Sequence, residues 1–250
     1  MILCSGCSFT IGSHKDDKNN DIDYKHWPVF LPTVTKNVAI GGAGNRLIAR
    51  TILDHIDDPN VKAVAVMWST VERYDWYMPE FNAYKPEGAS YTGAKQNYLK
   101  YFYTEFNQLA KTLEYILLVQ QTCKVRNKPY VFMHMGDMRY NDWDMDRAYG
   151  IQRGPDGTGA RRSLDLSTDK TPVLSFEQKL VGRQEQEFIK KLKEQIDWSK
   201  WIFYKDYGGL WQFTNDGGYD WIAYHPPEQA HKDWTEQMVN PRLKELNIIY

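Results

Sequence analysis

Short apolar runs alternate along the chain with longer segments whose apolar residues recur every three or four positions. Four of these runs have the length of buried strands: Ile2 to Ser5, Val38 to Ile40, Val61 to Trp68 and Tyr130 to Met135. Alternating strand and helix patterns are typical of parallel strands joined by crossover helices. The pattern therefore predicts an α/β three-layer sandwich with a mostly parallel central sheet.

Four segments carry the periodicity or the end signals of helices. Apolar residues at four-residue spacing predict helices over Asn45 to Ile56 and over Tyr98 to Arg126. A capping box at Ser175 to Gln178 predicts the start of a third helix, and Pro226 to Glu228 predicts the start of a fourth. Because a proline disrupts a helix interior, we expect the fourth helix to end before Pro241.

No internal repeat and no linker divides the chain of 250 residues, so the sequence predicts a single domain over residues 1–250. Two stretches break the alternation: 74–97, rich in Tyr, Pro and Gly, and 150–171, rich in Gly, Asp, Arg and Ser. Irregular connections of this length usually carry function or are disordered. We therefore expect long loops in both places.

The charge balance narrows the classes of partner. Lys and Arg total 31 while Asp and Glu total 32, which gives a net charge of −1. Such a chain has no long-range attraction to nucleic acid or to an anionic membrane, and no apolar run approaches the roughly 20 residues of a membrane span. The N-terminus also lacks a basic segment followed by a long apolar one. We expect a soluble protein without a signal peptide, cytoplasmic or part of a virion, that binds neither nucleic acid nor membrane.

The cysteines give little support to a redox or metal protein. Three cysteines cannot pair fully within one chain, which argues against a disulfide-stapled scaffold. Cys4 and Cys7 have the spacing of a redox pair or of half a zinc site, but zinc would need two further ligands. Cys123 has no cysteine or histidine near it in sequence. We therefore expect neither a metal nor an organic cofactor.

Ser8 is the first candidate for chemistry, because it stands in Gly6-Cys7-Ser8 directly after the first predicted strand. Ligands bind at the carboxyl ends of parallel strands. A serine on the turn into a helix exposes its hydroxyl, and its backbone N–H can hold an oxyanion. This position suits a nucleophile, and the alternative is that Ser8 only caps the helix that follows.

A glycine-rich turn follows the second predicted strand in the same way, as Asn37-Val-Ala-Ile-Gly41-Gly42-Ala43-Gly44-Asn45. Glycine lets the backbone approach a ligand closely and present its N–H to a developing negative charge. A structural turn with Asn45 as N-cap of the next helix is the alternative. A nucleotide-phosphate loop is disfavoured, because the turn lacks a third spaced glycine and the Lys that precedes Ser or Thr in phosphate loops.

His225 is the candidate general base. It stands in Tyr224-His225-Pro226-Pro227, just before the last predicted helix, where a loop imidazole can reach over the sheet. Taken alone, a single histidine is better explained as a surface or core residue. His231, six residues later and inside the predicted helix, looks structural.

In their order and spacing these pieces resemble the sequence blocks of the SGNH hydrolases, also called GDSL-type esterases. The matching residues are Gly6-Cys7-Ser8, Gly42 five residues after Asn37, and His225-Pro226. The segment Trp68-Ser69-Thr70-Val71-Glu72-Arg73 resembles a variant third block seen in SGNH-like proteins of phages and aquatic bacteria. The resemblance implies a flavodoxin-like sandwich, with Ser8 as nucleophile, His225 as base, and the N–H groups of Ser8 and Gly42 as oxyanion donors.

Two positions depart from the family pattern. The oxyanion asparagine of the third block is absent, and Ser69 and Thr70 are the nearest polar replacements. Ile222 stands where the family has an acid, so Asp220 is our choice for the orienting carboxylate, with Asp216 as the other one nearby. These departures leave open a slow Ser-His enzyme, an enzyme with a relocated acid, and an inactive protein.

Aromatic residues make up 14% of the chain, and their distribution suggests which kind of substrate the protein binds. Aromatic residues concentrate in 74–91 and 198–224, which suits either stacking on sugar rings and docking of another protein, or packing of a satellite core. We expect a serine esterase that cleaves acyl esters, in particular acetyl esters, of a small molecule or a carbohydrate. Asn45, Arg73 and Tyr224 are the expected substrate contacts. The alternative is a weakly active or inactive SGNH-like fold that binds glycans or serves as a structural component, for example of a phage virion, in contact with other virion subunits or with its own copies.

Overall fold

The computed structural model describes residues 1–15, 21–71, 73, 75–78, 83–86, 105–136, 187–205, 208–222 and 225–249. In chain order the strands are β1 (Ile2–Ser5), β2 (Ser13–Lys15), β3 (Asp21–Asp23), β4 (Thr35–Asn37), β5 (Ala63–Trp68), β6 (Asp75–Met78), β7 (Ala83–Pro86), β8 (Tyr130–His134) and β9 (Trp201–Ile202). The helices are α1 (Ser8–Ile11), α2 (Asn45–His55), α3 (Glu105–Val125), α4 (residues 187–195), α5 (Leu210–Asp216), α6 (Glu228–Trp234) and α7 (Asn240–Glu245). Two 3₁₀ turns, Trp27–Phe30 and Trp198–Lys200, and a π turn, Thr235–Val239, complete the set.

The central sheet confirms the α/β prediction. Its five strands lie in the order β4-β1-β5-β8-β9, and every pair of neighbours is parallel. This is the 2-1-3-4-5 order of flavodoxin-like folds, in which ligands bind beyond the carboxyl ends of the strands, between the first and third in sequence. Here that place lies between the ends of β1 and β5.

Helices cover the sheet on both faces. On one face α2 packs on β1, β5 and α3. On the other, the Trp27–Phe30 turn contacts β4, α6 and the π turn, and α5 packs on α6. Right-handed crossovers require this division, because the chain moves from β1 to β4 in one direction and from β4 to β5 in the other. Among the described helices, none is both long and apolar enough to cross a membrane.

Burial explains which strands the sequence revealed. Every residue of β1, β5 and β8 is buried, so these strands read as continuous apolar runs and were predicted to within two residues. The predicted second strand, Val38 to Ile40, is wrong by three residues, since the strand is β4. It lies at the edge of the sheet, where polar side chains reach solvent, while the apolar residues after it continue beside β1 through backbone bonds from Val38 to Cys4 and from Ile40 to Gly6.

The last predicted helix begins where expected but does not end before Pro241, so that prediction is wrong. The π turn follows α6 directly, and Pro241 lies in the first turn of α7. A π turn changes the hydrogen-bonding partners of the backbone, so the missing N–H of proline falls where a new helical segment starts. The apolar stripe then continues through Val239 and Leu243 into the core.

The irregular stretch expected at 74–97 contains the antiparallel pair β6 and β7, so part of it is regular structure. The β2–β3 pair and β9 were not predicted, because strands of two or three residues leave too short a pattern. The predicted loop at 150–171 and the capping box at Ser175 lie outside the described residues. Residues 187–195 confirm a helix in the region that follows that box.

Candidate active site

Ser8 is the first residue of α1, directly beyond β1. The capping alternative is wrong, because Cys7 is the N-cap and no side chain caps this helix. The Ser8 side chain is 7% exposed, and its hydroxyl makes no hydrogen bond with any described residue. A nearly buried hydroxyl usually has a partner in the protein, so this one is available to a ligand.

Gly6 allows α1 to fold back so tightly on β1. A Cβ on Gly6 would lie 2.2 Å from Thr10 Oγ1 and 3.0 Å from the Met67 carbonyl oxygen. Any larger residue would therefore push α1, and Ser8 with it, away from the sheet. Asn37 holds the other end of this helix, because its amide donates to the Thr10 carbonyl oxygen at 2.6 Å.

The glycine turn lies beside Ser8 and offers a second backbone donor. Ile40 N–H donates to the Gly6 carbonyl oxygen at 3.2 Å. Gly42 lies two residues after Ile40, and Ser8 lies two residues after Gly6. Gly42 has φ +75°, a left-handed conformation that favours glycine. Among the described hydrogen bonds, none uses the N–H of Ser8 or of Gly42. Two adjacent donors without a partner can bind an oxyanion.

His225 is presented on a tight antiparallel turn. Its backbone exchanges two bonds of 2.9 Å with Ile222, and its half-buried ring lies 5.4 Å from the ring of Phe9, centroid to centroid. Phe9 directly follows Ser8, so the imidazole packs on the helix that begins with the serine. No hydrogen bond joins the Ser8 hydroxyl to His225 in this structure.

Two tryptophan rings contact Phe9, the residue between Ser8 and the ring of His225. Phe9 stacks on Trp211 with centroids 6.1 Å apart, and Trp221 lies 4.4 Å from Trp211. Both tryptophans are half-buried, and the Trp221 indole N–H is held by Asn215 at 2.9 Å. The other aromatics of 198–222 pack elsewhere, for example Phe213 against Trp234. The packing of Phe213 against Trp234 agrees with the satellite-core alternative, and the role of the half-buried tryptophans in binding a ligand stays a prediction.

Asn45 and Ser69 are bound to each other. Asn45 is not the N-cap of α2, which is Gly44; its buried amide donates to the Ser69 carbonyl and to Thr112 Oγ1, both at 3.1 Å, and accepts from Ser69 N–H at 2.8 Å. The Ser69 hydroxyl donates to Met135 Sδ at 3.4 Å. Both side chains are almost fully buried. Their polar groups therefore bind within the protein and hold the backbone around the site. Ser69 has no donor left for an oxyanion.

Asp75 occupies the N-terminus of α2. Its carboxylate accepts from the N–H groups of Gly44 and Leu47, both at 2.8 Å, and burial raises the pKa of this carboxyl despite these bonds. A carboxylate already fills the place that a phosphate takes in nucleotide-binding loops. This contact is a second reason, beside the missing motif residues, against a phosphate loop at Gly41 to Gly44.

Arg73 lies against the same turn. A Cβ on Gly44 would approach the Arg73 carbonyl oxygen to 2.9 Å, which shows how closely the two backbones meet. The side chain is half-buried, and its Nη1 is a buried donor without an acceptor. Because this atom is shielded from solvent, a ligand would reach it only after a movement of the side chain.

The acid expected beside His225 is not in contact with it. Asp220 is exposed and makes no hydrogen bond or ion pair with the described residues. Asp216 is paired with Lys205 instead. Tyr224 lies outside the described residues, so its predicted substrate contact stays a prediction.

A segment that sequence reasoning missed joins the two sides of the site. The Tyr24 hydroxyl donates to the Pro226 carbonyl at 2.8 Å, directly after His225, and Trp27 Nε1 donates to Thr10 Oγ1 at 3.1 Å, in the helix that begins with Ser8. The only sequence signal was the burial expected for aromatic residues, because nothing in the pattern links positions 202 residues apart.

The opposite half of the rim, at the ends of β8 and β9, is closed. His134 is fully buried, its ring lies 4.6 Å from that of Trp201, and burial lowers its pKa well below 6.5. Gly209 passes so close that a Cβ there would lie 2.2 Å from the His134 carbonyl oxygen. Within the described residues, the His134 ring therefore has no access to solvent.

The cysteines take structural positions. All three are free and buried. Burial raises the pKa of the Cys4 thiol far above its usual range and that of Cys123 to about 12, so both remain protonated at neutral pH and react poorly. Cys7 points its thiol at Met135 Sδ, 3.4 Å away, beneath Ser8.

The chain was also compared with known proteins. No protein-family model matches it, and no curated protein matches it significantly.

Proposed function

We propose that this protein is a serine ester hydrolase of the SGNH type, with Ser8 as nucleophile and His225 as general base. The observation that carries the proposal is the Ser8 hydroxyl, nearly buried and without an acceptor, at the carboxyl end of β1. The glycine turn lies on one side of it, and the His225 ring packs on the adjacent Phe9. Nucleophile, base and oxyanion donors are thus supplied from three separate parts of the chain.

The reaction follows the two-step course of serine esterases. Ser8 Oγ attacks the acyl carbonyl carbon while His225 takes the hydroxyl proton, and the N–H groups of Ser8 and Gly42 donate to the oxyanion. The tetrahedral intermediate then expels the alcohol, which leaves with the proton from His225. Water, deprotonated by His225, attacks the acyl-serine and releases the carboxylic acid, and the proton returns to Ser8.

We infer a slow enzyme from the groups that surround this pair. Each missing oxyanion donor lowers the rate about 10²- to 10³-fold, and Ser69 is committed to Asn45 and Met135. Asp220 makes no hydrogen bond with the imidazole, and the described contacts of His225 include the backbone turn with Ile222 and the ring of Phe9. Catalytic hydrogen bonds are often long before substrate binds, which fits a Ser8–His225 bond that forms only in the complex.

The substrate we propose is an acyl ester, in particular an acetyl ester, of a carbohydrate or another small ring compound. Trp211 and Trp221 are rigid flat side chains that contact Phe9, on which the base also packs, and such side chains stack on sugar rings. The half-buried Arg73, whose Nη1 has no acceptor in the protein, is the proposed donor to an oxygen of the substrate once its side chain turns outward.

The decisive experiment uses p-nitrophenyl acetate and a fluorescent fluorophosphonate on the wild type, Ser8→Ala and Ser199→Ala. Ser199 is an exposed serine whose hydroxyl bonds to Asp197, so its variant controls for nonspecific labelling. We expect hydrolysis and labelling in the wild type and the control, and a loss of at least about 10³-fold in Ser8→Ala. Labelling of equal rate in Ser8→Ala would contradict the proposal.

The alternative is a glycan-binding or structural component with this fold and no turnover. It is favoured by one observation, the absence of any contact between Asp220 and His225. This alternative predicts no labelling by the fluorophosphonate, together with a tryptophan fluorescence change on addition of oligosaccharides that disappears in Trp221→Ala. Hydrolysis that depends on Ser8 would exclude it.

A further inference from the structure

Residues Tyr24 to Trp27, here called the 24–27 segment, bind the chain immediately after His225. The Tyr24 hydroxyl donates to the Pro226 carbonyl at 2.8 Å, and Lys25 N–H donates to Glu228 Oε2 at 3.1 Å. Pro226 and Pro227 have no N–H, so this carbonyl is the main polar group that the backbone offers there. Burial raises the pKa of Tyr24, so its hydroxyl stays a donor at all ordinary pH values.

The other end of the 24–27 segment binds the helix of the nucleophile. Trp27 is fully buried, and its Nε1 donates to Thr10 Oγ1 at 3.1 Å. Thr10 lies over Gly6, so this bond acts on the part of α1 that is pressed closest to the sheet. Thr235 Oγ1 donates to the Trp27 carbonyl at 3.2 Å, which ties the same residue to the C-terminal helices.

The segment itself is held rigid by ring contacts. The Tyr24 ring stacks on His26 with centroids 4.4 Å apart, and the His26 ring lies 4.4 Å from that of His231 in α6. His26 and His231 are fully buried. A movement of Tyr24 relative to α6 would therefore have to displace close-packed rings.

We infer that Tyr24 is a positioning residue whose hydroxyl sets the place of the His225 imidazole relative to Ser8, with the 24–27 segment as the spacer between them. The inference rests on the proposed function. No hydrogen bond joins Ser8 and His225 directly, so the scaffold determines their separation before substrate binds. The Phe9 ring of α1 contacts the imidazole itself, and the Tyr24 hydroxyl fixes the backbone at the next residue, Pro226.

The test compares Tyr24→Phe with Tyr219→Phe. Both changes delete one tyrosine hydroxyl that bonds to the C-terminal region, because Tyr219 donates to Asp233 Oδ2 at 2.6 Å, but only Tyr24 binds beside His225. We expect both variants to lower the melting temperature by a similar amount, about 2–4 °C. Only Tyr24→Phe is expected to lower kcat for p-nitrophenyl acetate, by about tenfold, with KM changed less than about twofold.

A second readout does not depend on activity. Imidazole ¹⁵N spectra at fixed pH, with the His225 signals assigned from His225→Gln, should show displaced His225 signals in Tyr24→Phe and unchanged ones in Tyr219→Phe. If the wild type has no activity, the proposed function fails while this spectrum still decides the inference. Unchanged His225 signals in Tyr24→Phe, or an equal kcat loss in both variants, would overturn it.

Discussion

His225 and His134 both lie at the carboxyl edge of the sheet with aromatic rings as neighbours, yet one is half-buried and the other is fully buried. His225 contacts Phe9 beside a serine and a glycine turn, whereas His134 is enclosed by Trp201 and Phe203. Burial without access to water lowers the pKa of His134 and removes it from proton transfer. Under the proposed function, only the half-buried histidine can act on a substrate at this edge, because the fully buried one has no access to solvent.

Exchanging each histidine for glutamine should separate the two roles most strongly. In His225→Gln we expect kcat/KM for p-nitrophenyl acetate to fall about 10³- to 10⁴-fold, because the base is lost, with little change in stability. In His134→Gln we expect the activity of the folded protein to persist and the free energy of unfolding to fall by about 1–3 kcal/mol. Steady-state kinetics and urea unfolding measure both effects; similar activity losses in the two variants would contradict the comparison.

Glycine substitutions test how tightly the backbone is packed at the two ends of this edge. Gly209 lies against His134, and Gly42 lies in the turn that follows β4. Gly209→Ala places a Cβ 2.2 Å from a backbone oxygen, so we expect a loss of roughly 3 kcal/mol or more in the free energy of unfolding. Gly42→Ala forces alanine to φ +75°, which should cost about 1–2 kcal/mol and lower the rate as well.

Gly41→Ala is the matched control for Gly42→Ala, because no atom outside the neighbouring residues lies within 4 Å of its Cβ position. We expect its stability to stay within about 0.5 kcal/mol of the wild type in the same unfolding measurement. If Gly42→Ala behaved like this control, the left-handed turn would not constrain the site.

The buried His134 should also make the stability of the protein sensitive to acid. The unfolded chain holds His134 at a pKa near 6.5, and burial lowers the folded value well below that. The folded state therefore binds fewer protons, so this contribution to stability is complete above pH 6.5 and is lost as the pH falls towards the folded pKa. Between pH 7 and pH 5 the loss is at most about 2 kcal/mol.

Urea unfolding of the wild type and His134→Gln over this pH range measures the effect. The difference between their free energies of unfolding should shrink as the pH falls, because the variant has no imidazole to protonate at that position. Parallel curves would show that His134 is not the group responsible.

The smallest expected effect concerns the helix that follows the glycine turn. Asp75→Asn removes the charge at the N-terminus of α2 and one of its two acceptors, and we expect a loss of about 1 kcal/mol in the free energy of unfolding. Asp54→Asn is the control, since Asp54 is an exposed acid paired only with Arg50. Equal effects of the two changes would argue against the capping role.

The sequence predicted most reliably the parts of the molecule that depend on local pattern and topology. The buried runs of β1, β5 and β8 indicated a parallel sheet, and the rule for carboxyl ends brought Ser8 and Gly42 to one edge. The predicted position of the edge strand β4 was three residues too late, because the polar residues of β4 do not differ from those of a loop.

Side-chain partners could not be predicted, because they depend on distant segments. The pattern around Asn45 equally suits an N-cap, a ligand contact and the buried amide observed, which binds Ser69 and Thr112. The bond from Tyr24 to Pro226 likewise needs the folded chain to bring its partners together. The assignment of Asp220 as orienting acid rested on proximity in sequence, and the tight turn at 222–225 leaves it exposed.

The π turn Thr235–Val239 has a consequence for how this chain tolerates insertions and deletions. A π turn holds one more residue than an α-helical turn, so removal of that residue can turn it into a regular α-helical turn while the residues after it keep their orientation. Leu243, now fully buried, would then stay in the core. A one-residue deletion within a regular helix such as α3 would instead rotate everything after it by about 100°, so this chain should accept such a deletion more readily in the π turn.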